Sequence, residues 1–197
     1  APLLLPAEVY RMRTFPIYPE PVRLLVEQPH AAPPSGPCKA CALHESVTTN
    51  CMAAAQVGGD IGDVLLVVLP PPTLFDDKQG KSFGGVQTNY LLKKLTPHWP
   101  GPIVFDHALR CAPGSKKVSH VHYNACRPHA HGIYNDAKPS RVLLLGSEAC
   151  YAYLGQALPV QSLTGGQVLT STGVPVFVLG WPLAALRNVL VQREFEA

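Results

Sequence analysis

Cysteines carry the clearest chemistry in this 197-residue sequence, which contains six of them. A C-x2-C pair is followed by two further cysteines with 14 residues between them, which is enough for one tetrahedral site of four thiolates. Soft thiolates suit both zinc and an iron–sulfur cluster, so the spacing sets the number of ligands and leaves the metal open. Four unmodified buried thiols are the simpler alternative. The four candidate ligands are Cys38, Cys41, Cys111 and Cys126.

The remaining cysteines and two histidine pairs are expected to play structural roles. Cys51 and Cys150 are interpreted as small core residues, with Cys150 facing inward from the helix that follows "RVLLLG". Two His-x-His pairs have side chains that bind zinc, but histidines in surface loops are the commoner explanation of such a pattern. These pairs are His120/His122 and His129/His131.

Positive charge is concentrated between residues 110 and 141. Six basic residues stand there against Asp136 alone, whereas the whole chain has a net charge of only +3. One side of the molecule is therefore predicted to be basic, with an ordinary solvated surface as the alternative. The basic residues are Arg110, Lys116, Lys117, Arg127, Lys138 and Arg141.

Alternating strands and helices must position these groups. Short continuous apolar runs, typical of strands covered on both faces, occur at 64–69, 102–105, 141–146 and 175–180. Helical spacing or composition occurs at 86–95, 123–136 and 147–155 and again, after a proline suited to a first turn, at 182–195. The pattern predicts an α/β fold, a three-layer sandwich around a mostly parallel four-stranded sheet.

Ligands of such sheets bind past the carboxyl ends of the strands. Residues 70–85, 106–115 and 181–184 should therefore surround one crevice. The first of these segments opens with Pro70, Pro71 and Pro72, which have no backbone N–H to offer a ligand.

Two regions are expected along the chain. Residues 1–37 hold nine of the 21 prolines together with several large apolar side chains, which predicts an arm that lies along a surface, its own or a partner's. Residues 38–197 are long enough for one domain with a substantial core. The longest apolar run is too short to span a membrane, and the first residues lack the basic start of a secretory signal. A soluble, intracellular protein is expected.

The order of motifs from residue 38 to about residue 190 resembles the family 4 uracil-DNA glycosylases, the iron–sulfur members of the uracil-DNA glycosylase superfamily. The resemblance comprises the C-x2-C pair, a strand, an acidic pair, G-x-x-F-x-G, a second strand, Cys-x-Pro-Gly, Cys-x-Pro, "RVLLLG" and a last strand followed by x-P-x-x-x-L-R. Outside the cysteines, the matching positions are Gly80, Phe83, Gly85, Pro113, Gly146, Pro182, Leu186 and Arg187.

The resemblance implies a uracil-DNA glycosylase-like fold and a structural 4Fe-4S cluster that clamps DNA-facing loops. Its ligands would be the four cysteines already identified, with zinc as the alternative metal. Phe83 matches the aromatic residue on which uracil stacks, although a core aromatic beneath the loop is an equal alternative. Backbone phosphates of DNA, bound without regard to sequence, would contact Arg110, Lys116, Lys117, Arg127 and Arg187.

The chain departs from the family at the catalytic positions. The family's first motif, Gly-Glu-Ala-Pro-Gly, aligns with Leu69 to Thr73, so that Pro70 replaces the carboxylate and both glycines are absent. The family's pocket asparagine aligns with His107, and the histidine of its second motif aligns with Trp181. Such changes predict that glycosylase activity has been lost.

The expected function is therefore that of a cluster-bearing, catalytically inactive glycosylase homologue that acts as a DNA-binding or assembly subunit in replication or repair. By analogy with related domains in phages, a replicative polymerase bound through the arm is an expected partner, in the cytoplasm of a bacterial or phage-infected cell. The alternative is an active glycosylase with a rearranged pocket, in which Asp76, Asp77 or His107 has taken over the chemistry.

Overall fold

A computed structural model describes residues 22–23, 38–59, 61–81, 86–155, 160, 167–170 and 172–181. These residues form an α/β structure around one mixed sheet, in the strand order β1-β6-β7-β5-β3-β4-β2. The strands are β1 (Val22–Arg23), β2 (Ala55–Val57), β3 (Leu65–Leu69), β4 (Ile103–His107), β5 (Arg141–Leu145), β6 (Gln167–Leu169) and β7 (Pro175–Leu179).

The four central strands, β7, β5, β3 and β4, are parallel and correspond to the four predicted strands. Three short strands extend the sheet and were not predicted, because two or three residues are too few to show a periodicity. Strand β2 pairs antiparallel with β4, and β6 pairs antiparallel with β7. Strand β1, within the proline-rich arm, pairs parallel with β6.

Helices cover both faces of the sheet, as the apolar runs predicted. Leu91 packs on one face, against β3 and β4, and Tyr134 and Cys150 pack on the other. Along β5, side chains alternate between the two faces: Val142 and Leu144 pack on the face with Tyr134, and Leu143 and Leu145 pack on the face with Leu91. The helices are α1 (Leu74–Gln79), α2 (Val86–Leu95), α3 (His120–Ala137) and α4 (Gly146–Leu154), with a short 3₁₀ helix at Ala42–Ser46.

Helix α1 was not predicted, because its six residues follow three prolines and resemble a turn in sequence. The Thr73 hydroxyl accepts a hydrogen bond from Asp76 N, and the Asp76 carboxylate accepts one from Thr73 N. This reciprocal capping begins the helix directly after the prolines. Gly80 ends it in the left-handed conformation, with φ 62°.

Several predicted features lie outside the described residues. They include the closing helix at 182–195, Phe83, Arg187 and the arm apart from β1. In the part of the chain that is described, no helix has the length and apolar character needed to cross a membrane.

Candidate metal centre and crevice

Five cysteines line one pocket beside the carboxyl end of β4. Four are the predicted ligands: Cys38 and Cys41 precede the 3₁₀ helix, Cys111 lies in the loop after β4, and Cys126 lies within α3. The fifth is Cys51, which had been expected in the core. Cys150 alone matches that expectation, since it is fully buried between α4 and the sheet. All six cysteines are free thiols.

Backbone hydrogen bonds hold the chain segments of this pocket together. Arg110 N donates to Cys126 Sγ over 3.3 Å. Met52 N donates to Arg110 O over 2.8 Å, which joins the segment that carries Cys51 to the loop that carries Cys111. Asn50 Nδ2 donates to Cys38 O over 2.9 Å. The bonds made by Arg110 and Met52 thus join the segments that carry Cys51, Cys111 and Cys126.

Burial favours the neutral form of three thiols of this pocket. It raises the pKa of Cys126 to about 12, against a smaller lowering from Arg110 N–H, and it also raises the pKa of Cys111 and Cys51. As donors these thiols fit a metal or cluster that binds thiolates, and binding would release their protons. Among the described residues, no group of three or more Cys, His, Asp or Glu side chains is arranged so that it could hold a metal ion.

The second histidine pair lies in the interior, so its interpretation as a surface-loop pair is wrong. His129 and His131 belong to α3 and are 5% and 3% exposed, because this part of the helix packs against the sheet and the pocket. His129 Nε2 lies 3.4 Å from Cys38 Sγ, and burial lowers the pKa of His129. A neutral imidazole therefore borders the thiols. In the first pair, His120 is exposed and His122 caps the start of α3.

Arg110 is buried, in contrast to its predicted place on a DNA-binding surface. Its guanidinium donates to Asp106 Oδ1 over 2.9 Å, and both side chains are almost fully enclosed. The pair lies between the thiol pocket and the end of β4. Sequence reasoning missed Asp106, because a spacing of four residues indicates an ion pair only on a helix, and Asp106 lies in a strand.

The other predicted phosphate-binding residues divide into two groups. Arg127 donates from Nε to Ala152 O and from a terminal nitrogen to Tyr151 O, so its charge faces the carboxyl end of α4. Lys116 and Lys117 are exposed in the loop between Cys111 and α3, and Lys116 Nζ lies 3.3 Å from Ala42 O. Of the predicted phosphate-binding residues that the structure describes, only Lys116 and Lys117 present their charges to solvent.

Three positions aligned with catalytic residues of the glycosylases meet at the carboxyl ends of the central strands. His107 ends β4, Pro70 follows β3, and Trp181 follows β7. A Cβ atom placed on Gly146 would lie 3.6 Å from Trp181 Cβ and 3.9 Å from Pro70 Cγ, so both residues lie against this glycine. These three residues thus lie together at the place where the strand order predicted a crevice.

His107 is fixed as a neutral ring with a defined tautomer. Its Nδ1 lies 2.7 Å from Pro70 O, and since a carbonyl can only accept, Nδ1 must carry the proton. Burial is the main cause that lowers the pKa of His107, so the ring is neutral and Nε2 carries a lone pair. Towards a ligand, this nitrogen would act as an acceptor.

The two carboxylates of the acidic pair are used to hold the backbone. Asp76 accepts from the N–H and the hydroxyl of Thr73 at 2.8 and 2.7 Å. Asp77 accepts from the backbone N–H groups of Thr48 and Thr49 at 3.0 and 2.7 Å, which fastens the thiol-bearing segment to α1. Burial alone would raise the pKa of Asp77, but these hydrogen bonds outweigh it and lower the pKa below 3.8.

Replacing Asp77 by Asn is expected to destabilise the protein by about 1.5–3 kcal/mol at pH 7, because both bonds to the charged carboxylate weaken. Since the folded pKa is depressed, the contribution of Asp77 is present above pH 3.8 and is lost as the pH falls through the folded pKa. Urea unfolding of both proteins across this range should show the difference shrinking. Asp136→Asn, an exposed position on α3, is the control and should show no such dependence.

An exposed apolar pair lies next to the basic loop and was not singled out from the sequence. Leu74 and Phe75 begin α1, and each is 55% exposed. A Cβ atom on Gly114, whose φ is +59°, would lie 3.3 Å from Leu74 Cδ2, so α1 touches the loop that carries Lys116 and Lys117. Lys78 is exposed one helical turn after Leu74 and therefore shares its side of α1.

Neither known protein families nor curated proteins identify the chain by sequence: no family model matches it, and no curated protein does.

Proposed function

We propose that this chain is a catalytically inactive DNA-binding protein with a uracil-DNA glycosylase-like fold that acts in DNA replication or repair. The observation that carries the proposal is the meeting of Pro70, His107 and Trp181 at the carboxyl ends of the central strands, beside a pocket of thiols. This is the arrangement expected if the positions aligned with the glycosylase pocket kept their places and lost their chemistry.

The metal of the proposal is a 4Fe-4S cluster held by Cys38, Cys41, Cys111 and Cys126, with zinc as the alternative. Bound there, it would supply structural cross-linking of segments that come from separate parts of the chain. The chain already gathers these segments by hydrogen bonds from Asn50, Met52 and Arg110. The group would therefore cross-link segments that already contact one another.

The proposed DNA-binding surface, here called the lysine surface, consists of Lys78, Lys116 and Lys117 together with Leu74 and Phe75. Its three charged side chains are exposed, whereas the nearby carboxylates of Asp76 and Asp77 are buried and occupied. Lysines bind phosphates without reading sequence, and an exposed aromatic ring offers a face on which an unpaired base stacks.

The described contacts do not favour the active-glycosylase alternative. A carboxylate that acts as general base or nucleophile must be able to turn towards a substrate. The Asp77 carboxylate, however, accepts from two backbone N–H groups, and one oxygen of Asp76 accepts from two donors of Thr73.

A protein partner bound through residues 1–37, such as a replicative polymerase, is proposed by analogy with the related phage domains.

DNA binding at different salt concentrations tests the proposal. If three phosphates are neutralised, a plot of log K against log salt should have a slope of roughly −2 to −3, the smaller value applying to single strands. Lys116→Glu combined with Lys117→Glu should weaken binding to all sequences alike and reduce the magnitude of the slope by about two. Fluorescence anisotropy with labelled oligonucleotides measures both quantities.

Lys93→Glu combined with Lys94→Glu is the matched control. These lysines lie in the last turn of α2, near Trp99, whose Nε1 donates to Asp63 O at the amino ends of the strands, away from the crevice. This variant should bind DNA like the wild type. Phe75→Ala should weaken binding to single strands by about tenfold and leave the salt slope unchanged. Negligible affinity for DNA at low salt, with copurification of a protein partner, would contradict the DNA-binding role.

A further inference from the structure

The pocket contains one thiol more than a four-thiolate group requires. Its lining includes Cys38, Cys41, Cys51, Cys111 and Cys126. One histidine connects two of these residues, since His129 Nε2 lies 3.4 Å from Cys38 Sγ and His129 Nδ1 lies 3.8 Å from Cys51 Sγ. Cys41 and Cys51 stand at the two ends of one short segment, and both are half-buried. Five thiols are therefore present for four ligand positions.

The backbone at Cys51 is held in an unfavourable conformation. Its φ is +53°, a left-handed value that glycine or asparagine adopts more readily, and only Lys138 shares this property among the described non-glycine residues. Hydrogen bonds on both sides keep the conformation, from Asn50 Nδ2 to Cys38 O and from Met52 N to Arg110 O. Strain that the surroundings enforce in this way is often found at functional sites.

The same backbone conformation places Cys51 among the other thiols. Cys51 Sγ lies 3.8 Å from His129 Nδ1, and Cys51 lines the pocket together with Arg110 and the four other cysteines. A residue that served only as a small apolar filler would not need these polar neighbours.

We propose that Cys51 is an alternate metal ligand of the pocket, able to take the fourth position when Cys41 does not occupy it. This inference rests on the proposed metal site. The shared ligands are Cys38, Cys111 and Cys126, and the fourth thiolate comes from either end of the short segment 41–51. Hydrogen bonds of Thr48 and Thr49 to Asp77, and of Met52 to Arg110, hold this segment beside the pocket. Replacement of the Cys41 thiolate by the Cys51 thiolate would therefore need no movement of the core.

Four full-length proteins test the inference: the wild type, Cys41→Ser, Cys51→Ser and the double variant. Each is reconstituted with Fe²⁺ and sulfide or, separately, loaded with Zn²⁺, and bound metal and acid-labile sulfide are then measured per chain. Cys51→Ser should retain the wild-type content. Cys41→Ser should retain at least about half of it, with a changed absorption spectrum, because the ligand set differs. The double variant should retain less than about a tenth.

A second double variant, Cys41→Ser with Cys51→Gly, separates loss of the thiol from loss of the fold. Glycine adopts the left-handed conformation without strain, so this protein should fold at least as well as the serine double variant and still bind no metal. Circular dichroism checks the fold. Equal loss of metal in Cys41→Ser and the double variants would overturn the inference but leave the four-cysteine site intact. Metal retained by the double variants would overturn both the inference and the assignment of Cys41 as a ligand. A wild type that binds neither metal would overturn both.

Discussion

Excess purified protein is expected to leave uracil-containing DNA without abasic sites above the background of uncatalysed hydrolysis. Cleavage of the glycosidic bond needs donors aimed at the departing base, and the loss of one such donor typically slows a reaction by about 10²–10³. Loss of the catalytic carboxylate adds about 10²–10⁴. Together these effects predict a rate at least ~10⁴ below that of an active glycosylase.

His107 shows why the crevice cannot supply the missing donor. Its Nδ1 proton is given to Pro70 O, and Nε2 of the neutral ring can only accept a hydrogen bond. Pro70, Pro71 and Pro72 present no backbone N–H, and the Trp181 ring is packed with the apolar residues of the sheet. The surroundings of a leaving uracil anion would thus be poor in donors.

The assay uses a single-stranded oligonucleotide with one uracil, followed by alkaline cleavage at abasic sites, with an active uracil-DNA glycosylase as the positive control. A triple variant with Pro70→Glu, His107→Asn and Trp181→His should also be inactive, because Pro71 and Pro72 still shape the loop. Uracil release by the wild type well above background, abolished by Asp77→Asn, would show that the catalytic function is present.

Replacing Cys111 by Ser is expected to remove the metal and to lower the stability of the metal-loaded protein by about 4 kcal/mol or more. Cys111 is 7% exposed and lines the pocket with the four other cysteines. In the proposed site it is one of the three shared ligands, so that neither Cys41 nor Cys51 would replace it. Without the metal, the segments of the pocket are joined only by hydrogen bonds and packing.

Anaerobically purified wild type should be brown, with the broad charge-transfer absorbance of an iron–sulfur cluster, and Cys111→Ser should be colourless. Iron analysis measures the metal content per chain, and thermal unfolding measures the loss of stability. Cys150→Ala is the control: it creates a small cavity in the core and should keep its full metal content. A colourless wild type with one zinc per chain would rule out the cluster and keep the ligand set.

The sheet and its main helices could be predicted because their signals are local and repeated. The runs at 64–69, 102–105, 141–146 and 175–180 are apolar on both faces, and the structure covers both faces of the corresponding strands with helices. The parallel order of these strands also predicted that residues following their carboxyl ends would lie together, as Pro70, His107 and Trp181 do. Strands β1, β2 and β6 are defined by the partners with which they pair, and their own residues carry little signal.

The candidate site was predicted less completely, because charge and polarity do not reveal burial. Arg110 belongs to a basic stretch in sequence, yet Asp106 draws its guanidinium inside. His129 resembles a surface residue but lies in the part of α3 that packs beside Cys38. Cys51 is ten residues from Cys41 and in no recognisable motif, and it joins the pocket only through contacts between distant segments.

The buried pair of Asp106 and Arg110 has an evolutionary consequence. Loss of one partner alone leaves an uncompensated buried charge and costs about 3–5 kcal/mol, whereas joint replacement by well-packed apolar residues is often neutral. Asp106 directly precedes His107, and Arg110 directly precedes Cys111. Asp106 and Arg110 are therefore expected to change only together, although they lie in the stretch that leads from His107 to the thiol pocket.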